Sequence, residues 1–279
     1  MRRRIRFALV ASVTATSILL AGCSSSTNVQ TYIDGWASSD SVPSPSEAGL
    51  VSTMAEAYAF GAKVADGLPV AGDRFGYKFG CGAAVCPFAE HIPLVGTLWR
   101  EMVQPAGSIV DTSTYVRGFV EGELAFRLAQ DVTEPMTAAQ LRSIATEVAP
   151  AVELPDFPFG AGPLSDTPII DVISDNAIAR GVVIGDYVPT SSVDVDSVEL
   201  RGTRDGEQVL MGGTADVTLR SHWEALALAI KLLLENGHEV KAGDSIITGT
   251  MGEPTPLLNG EYELSYGPLG TISFTGAGA

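Results

Sequence analysis

Val120-Glu121-Gly122-Glu123-Leu124-Ala125-Phe126 places two carboxylates two residues apart inside an alternating apolar run. Val116, Val120, Leu124, Phe126 and Leu128 form the core-facing set, and Glu121 and Glu123 fall between them. Side chains at i and i+2 of a β-strand point the same way, about 6.5–7 Å apart. Both carboxylates are therefore expected on one face of one strand. Two like charges this close need protons or a cation to hold them. Hard divalent cations take oxygen ligands, and Mg²⁺ or Mn²⁺ is the usual occupant of a carboxylate-and-water site. The alternative is a solvated strand face, since acidic side chains usually point to water.

Around this stretch the chain is acidic: 17 Lys and Arg against 33 Asp and Glu give 279 residues a formal charge of −16. That balance argues against a nucleic-acid partner and against a basic membrane-binding face. Residues 1–22 read as an export signal. Arg2, Arg3, Arg4 and Arg6 make a basic start, and residues 7–20 form an apolar run short for a membrane span. Leu20-Ala21-Gly22-Cys23 then resembles a bacterial lipobox, with cleavage before Cys23 and lipid on that cysteine. An ordinary signal peptide with a chance cysteine is the alternative. The expected product is an exported protein anchored to the membrane through Cys23 and facing away from the cytoplasm. Residues 23–45 are read as a flexible tether and 46–279 as a single folded unit. Cys81 and Cys86 remain; in an exported chain they are a disulfide candidate, two free buried thiols being the alternative.

Along the folded part, Ser46 is expected to cap a helix over 47–66, and 74–79 reads as a strand. Residues 80–95 read as loop, and 98–103 as a short helix or turn. The acidic strand spans 114–130. Thr137 is expected to cap a helix lasting to 147, followed by a strand over 148–154 that carries Glu153. Residues 169–174 are a short helix, 180–188 a strand, and Thr203-Arg204-Asp205-Gly206 joins a hairpin. Ser221-His222-Trp223-Glu224 opens a helix ended by Gly237, a position that accounts for His222 without catalysis. Strands over 245–248, 261–266 and 271–274 close the chain, giving an α+β fold dominated by strands.

Several of these segments together resemble the fumarylacetoacetate hydrolase superfamily, and within it the 2-keto-4-pentenoate hydratase/4-oxalocrotonate decarboxylase branch. Gly76-Tyr77-Lys78-Phe79-Gly80 is similar to the branch's G-x-K-x-G strand, and Pro93 with Gly96-Thr97-Leu98 to the segment after it. Glu121-Gly122-Glu123-Leu124-Ala125 resembles its E-x-E metal strand and Pro150-Ala151-Val152-Glu153 the segment supplying a third carboxylate. Asp175-Asn176-Ala177 resembles its D-N-A/G turn, and Ala242-Gly243-Asp244-Ser245-Ile246-Ile247-Thr248-Gly249 its signature strand and loop.

The resemblance implies a mixed-sheet β-roll with a few flanking helices and a Mg²⁺ or Mn²⁺ held by Glu121, Glu123 and Glu153. It implies a small 2-oxo acid as ligand, Lys78 as the catalytic amine rather than an ordinary surface lysine, and Asn176, Thr248 and Gly249 as substrate-binding residues; the alternatives are a loop-holding Asn176 and a tight turn after a strand at Thr248 and Gly249. It implies self-association into a homo-oligomer as well. The activity it points to is a hydratase or decarboxylase working on a 2-oxo or 2-hydroxydienoic acid through an enolate. One departure bears on this: the branch commonly has an acidic residue between Pro93 and Gly96, where this chain has Leu94-Val95. Loss of that acid favours a second reading, an envelope lipoprotein that binds a small acid or metal, or serves a structural role, without turnover.

Overall fold

A computed structural model describes residues 28–82 and 86–278. In chain order its elements begin with helices α1 (Val29–Ser38) and α2 (Met54–Gly67) and strands β1 (Arg74–Gly80), β2 (Leu94–Trp99), β3 (Val103–Pro105), β4 (Ile109–Asp111) and β5 (Phe119–Leu128). Helix α3 (Ala138–Leu141), strand β6 (Ala145–Leu154), helix α4 (Ile169–Ser174) and strands β7 (Gly181–Ile184), β8 (Val188–Pro189), β9 (Glu199–Arg204) and β10 (Glu207–Gly213) follow. The chain ends with α5 (His222–Glu235), β11 (Ser245–Ile247), β12 (Thr255–Pro256), β13 (Gly260–Ser265) and β14 (Thr271–Ala277).

The main sheet runs β2-β1-β11-β5-β6-β7-β3, with β12 also on β5 and β8 also on β6. It is mixed: β1 is parallel to β11 and β3 to β7, while β5 is antiparallel to both β11 and β6. A second sheet runs β10-β9-β13-β14-β4. The expected α+β mixed-sheet roll with few helices is the architecture found.

Alternation along the strands sorts side chains to the two faces of the main sheet. Leu124, Phe126 and Leu128 of β5 join Tyr77 and Phe79 of β1, helix α5 and the second sheet in one core. Phe126 meets Trp223 of α5 with ring centroids 5.0 Å apart. Ala125, Ala151 and Ile247 face the other way, into a core built with Ala57 and Val64 of α2 and Val172 and Ile173 of α4. Glu121, Glu123, Glu153 and Lys78 share the parity of that second face. The sheet is thus covered on both sides, and the acidic pair does not lie on a solvated strand.

Several expectations need correction. Helix α2 starts at Met54, not residue 47: Thr53 and Glu56 form its capping box, while Ser46 spends both its N–H and its hydroxyl on Asp171, at 2.6 and 2.8 Å. The stretch 28–45, read as tether, holds helix α1 and is docked. Tyr32 and Val42 are buried, and Arg180 lies 4.0 Å over the Trp36 ring while donating to the Trp36 carbonyl and to Ser39 Oγ. Helix α3 ends at Leu141 because the chain from Ala145 pairs with β5, long-range pairing overriding local helical preference. Residues 94–99, expected as loop passing into a helix or turn, form β2 against β1. Val116 lies ahead of β5 and is only half-buried. The signal sequence and Cys23 fall outside the described residues.

Candidate metal centre

Register brings the acids together. In the antiparallel pair β5–β6, Glu121 stands directly opposite Glu153, and Glu123 opposite Ala151. Opposite residues of a ladder lie about 5 Å apart, and the i, i+2 spacing adds Glu123 on the same face. Carboxylate oxygens of Glu121, Glu123 and Glu153 accordingly lie within 4.8 Å of one another. Glu123 and Glu153 are fully buried, and Glu121 is half-buried at the edge of a cavity.

Lys78 reaches the cluster from β1, across the intervening β11, where it pairs in register with Ile247. Its Nζ stands 2.5 Å from Glu153 Oε1, with both side chains buried. Glu123 is held from the other side: the Gly249 N–H donates to Glu123 Oε2 at 2.8 Å. Gly249 has φ +89°, left-handed backbone that suits glycine and turns the amide inward after β11.

Electrostatics follow from this crowding. Burial, then the charges of Glu153 and Glu121, raise the Glu123 carboxyl well above its ordinary range. Burial and the Glu153 charge push Glu121 up to about 7, despite the opposing pull of Lys78. Burial disfavours the Lys78 ammonium, but the surrounding glutamates outweigh it and hold its pKa above the ordinary lysine value. Three carboxylates and one ammonium leave the ionised cluster two charges negative. Glu123 Oε1 and Glu153 Oε2 are buried with no hydrogen-bond partner, which is costly for anionic oxygens. Three hard oxygen donors, a two-charge deficit and orphaned oxygens fit one divalent cation of the Mg²⁺ or Mn²⁺ class.

The cavity beside the cluster has a volume of about 50 Å³ and opens to solvent. Lys78, Glu121, Thr248, Gly249 and Thr250 give it polar groups; Leu94, Val172 and Val217 are among its apolar walls. Thr248 donates to the Leu124 carbonyl and lies 2.9 Å from His222 Nδ1, so His222 supports the wall from behind. Burial keeps that imidazole neutral, its pKa pushed down to about 3. Cys81 and Cys86 are joined in a disulfide at the end of β1, and Cys81 lines the cavity.

Asn176 does not join the cavity lining. Its Oδ1 accepts from Thr97 N–H at 2.8 Å and its Nδ2 donates to the Thr97 carbonyl at 2.9 Å. The side chain ties β2 to a turn in which Asn176, Ala177 and Ile178 all have positive φ, 51–56°. Gly96 permits that approach: a Cβ there would meet the Asn176 carbonyl at 2.5 Å. The turn's contribution to the cavity is Ala177 and Ile178, which sequence reasoning passed over although the motif containing Ala177 had been noticed. Val217 and Thr218 were also missed; they sit where two single 3-10 turns, 214–216 and 218–220, meet, too short to leave a periodic pattern.

No protein-family model matches the chain. The 4-oxalocrotonate decarboxylase of a Pseudomonas species is 29% identical over 184 residues, 66% of this chain and 70% of that protein. The 2-oxo-hept-4-ene-1,7-dioate hydratase of Escherichia coli is 28% identical over 217 residues, 76% of this chain and 80% of that protein. Among solved structures, 4-oxalocrotonate decarboxylase from Pseudomonas putida G7, complexed with magnesium and adipate, superposes with a TM-score of 0.82 at 22% identity, covering 89% of this chain and 95% of that one. The chain therefore has the fumarylacetoacetate hydrolase fold, and in sequence it is similar to the 2-keto-4-pentenoate hydratases and 4-oxalocrotonate decarboxylases of that superfamily.

Proposed function

We propose that the protein is a divalent-metal-dependent lyase of the hydratase or decarboxylase type, acting on a small 2-oxo or 2-hydroxydienoic acid. The observation that carries this is the convergence of Glu121, Glu123 and Glu153 on one point beside a cavity, with Lys78 in contact. Glu121, Glu123 and Glu153 would hold the cation. When bound, it supplies a positive centre that a 2-oxo acid can chelate and that stabilises charge developing on the keto oxygen.

The chain's own residues do the rest. Lys78 holds Glu153 in place and brings its amine to the cavity wall, where it can exchange a proton with the acid or bind its carboxylate. The Gly249 N–H fixes the orientation of Glu123. Leu94 fills the wall where a second acid would stand, so Lys78 and Glu121 are the titratable groups lining this inner cavity among the described residues. Apolar walls exclude water and strengthen every charge interaction inside.

The test is direct. Purified protein is incubated with 2-hydroxypenta-2,4-dienoate and with 4-oxalocrotonate, with and without Mg²⁺ or Mn²⁺, and conjugated absorbance and CO₂ release are followed. Metal-dependent turnover of either, lost in Glu123→Gln, is the expected result. Metal and oxalate binding without turnover of any 2-oxo acid would instead assign a binding role.

We also propose export and lipid anchoring through Cys23, on the sequence of residues 1–23 and the disulfide. Cys23→Ser should release the protein from the membrane fraction; unchanged membrane association would refute the anchor.

A further inference from the structure

The inner cavity continues outward. A second lobe shares Phe88, Glu121 and Ile178 with it and is walled further by Phe119, Phe157 and Leu164. Glu121 lines both lobes, so an acid held at the glutamate cluster would direct its far end past Phe88 and Ile178 into this aromatic and aliphatic space. Among the described residues, the charged groups lining the two lobes are Lys78, Glu121 and, exposed at the outer rim, Glu253. Lys78 is already paired with Glu153. Arg117 lies 5.6 and 5.5 Å over the Phe119 and Phe157 rings and donates to the Gly162 carbonyl, but it does not line the outer lobe. Arg220, near the cavity-lining Thr218, is exposed and also outside the lining.

From this lining we infer that the acid taken by the site carries an uncharged, apolar tail, and that a dicarboxylate of the same length is rejected. The inference rests on the function proposed above and narrows it: decarboxylation needs a second carboxylate to lose, so an uncharged tail selects the hydratase type and a dienoic acid over 4-oxalocrotonate. A carboxylate pushed into the outer lobe would lose its hydration with no cation to meet it and would face Glu253 at the rim. An alkyl or alkenyl tail would lose only its water.

Calorimetric titration of the wild-type protein in Mg²⁺ separates the possibilities with three stable acids: pyruvate, 2-oxohexanoate and 2-oxoadipate. The last two have the same number of carbons and differ in a terminal methyl against a terminal carboxylate. Pyruvate should bind only with metal present. 2-Oxohexanoate should bind at least about tenfold more tightly than pyruvate, the scale expected for added methylenes in an apolar pocket. 2-Oxoadipate should bind no better than pyruvate.

Leu164→Arg, at a half-buried wall position, should narrow the gap between the two longer acids by roughly tenfold. Phe119→Lys is the second variant should the first not fold. Metal-dependent pyruvate binding with 2-oxoadipate equal to or tighter than 2-oxohexanoate overturns this inference alone. So does 2-oxoadipate binding that collapses in Arg117→Gln or Arg220→Gln. Absence of metal-dependent pyruvate binding overturns the proposed function, and this inference with it.

Discussion

Replacing Glu121 by glutamine should have opposite effects on stability depending on whether a divalent cation is present. In metal-free protein the Glu121 carboxyl is raised from 4.5 to about 7. At about 1.4 kcal/mol per pH unit, ionising it costs the folded state about 3 kcal/mol, and solvent contact at this half-buried group trims that toward about 2. The sign follows from linkage. An acid with a folded pKa above its unfolded one contributes its full stability below about pH 4.5 and loses it as pH rises through about 7. Metal-free wild type should therefore weaken across that window. Glu121→Gln, which cannot ionise, should not share this loss. At pH 8 in chelator the variant should be more stable by about 2–3 kcal/mol, or roughly 4–12 °C in Tm for a chain of this size.

Mg²⁺ reverses the order. A ligand present at about a hundredfold its Kd stabilises the fold by about 2.7 kcal/mol, and the variant, lacking one carboxylate, should gain far less. Scanning calorimetry at pH 5, 6.5 and 8, in chelator and in 10 mM Mg²⁺, reads all of this. A Glu121→Gln protein less stable than wild type in chelator at pH 8 would refute the electrostatic reasoning. A wild type indifferent to Mg²⁺ and Mn²⁺ would refute the metal assignment.

Other consequences can be measured alongside. Lys78→Met strips the buried glutamates of their cation and should destabilise metal-free protein by about 3–5 kcal/mol, a loss smaller in Mg²⁺; equal losses in both conditions would argue against a shared charge cluster. Asn176→Ala leaves two Thr97 backbone groups unpaired and frees a turn of three positive-φ residues, so urea unfolding should show a loss of about 3 kcal/mol; a loss under 1 kcal/mol would remove its tying role. His222 has a folded pKa of about 3 against 6.5, so the unfolded chain takes the proton first and stability falls as pH drops below about 6.5, by about 2 kcal/mol at pH 5; His222→Leu should abolish that share of the acid sensitivity. Thiol labelling of the exported, unreduced protein should find no reaction at Cys81 or Cys86, and two reactive thiols there would contradict the disulfide.

Legibility in the sequence followed the range of the interaction. The acidic strand was readable because a period of two is a local property of extended chain, and Glu121 and Glu123 needed only each other. Glu153 and Lys78 were found through motif order; local pattern says nothing about strands brought together in space. The errors have the same origin. Ser46 is a sound cap by composition, but its hydrogen bonds go to Asp171, 125 residues away. Asn176 was assigned to substrate on its motif's resemblance, with loop-holding as the alternative, and the alternative is what the structure contains. The Asn176 amide is satisfied by Thr97, 79 residues away, and only the backbone of its turn shapes the wall.

The sequence by itself determined an α+β chain rich in strands, a pair of carboxylates on one strand face, an acidic surface unsuited to nucleic acid, and the local caps and turns. Each of these depends on neighbours a few residues apart. Only the tertiary structure decided that this face is buried, that Glu153 stands opposite Glu121, and that Lys78 closes on it across β11. It also decided that α1 docks where a tether was expected and that the far end of the cavity is apolar. The reason is that burial and charge belong to what surrounds a side chain. Strand register and helix docking, set by pairing between distant segments, supply those surroundings.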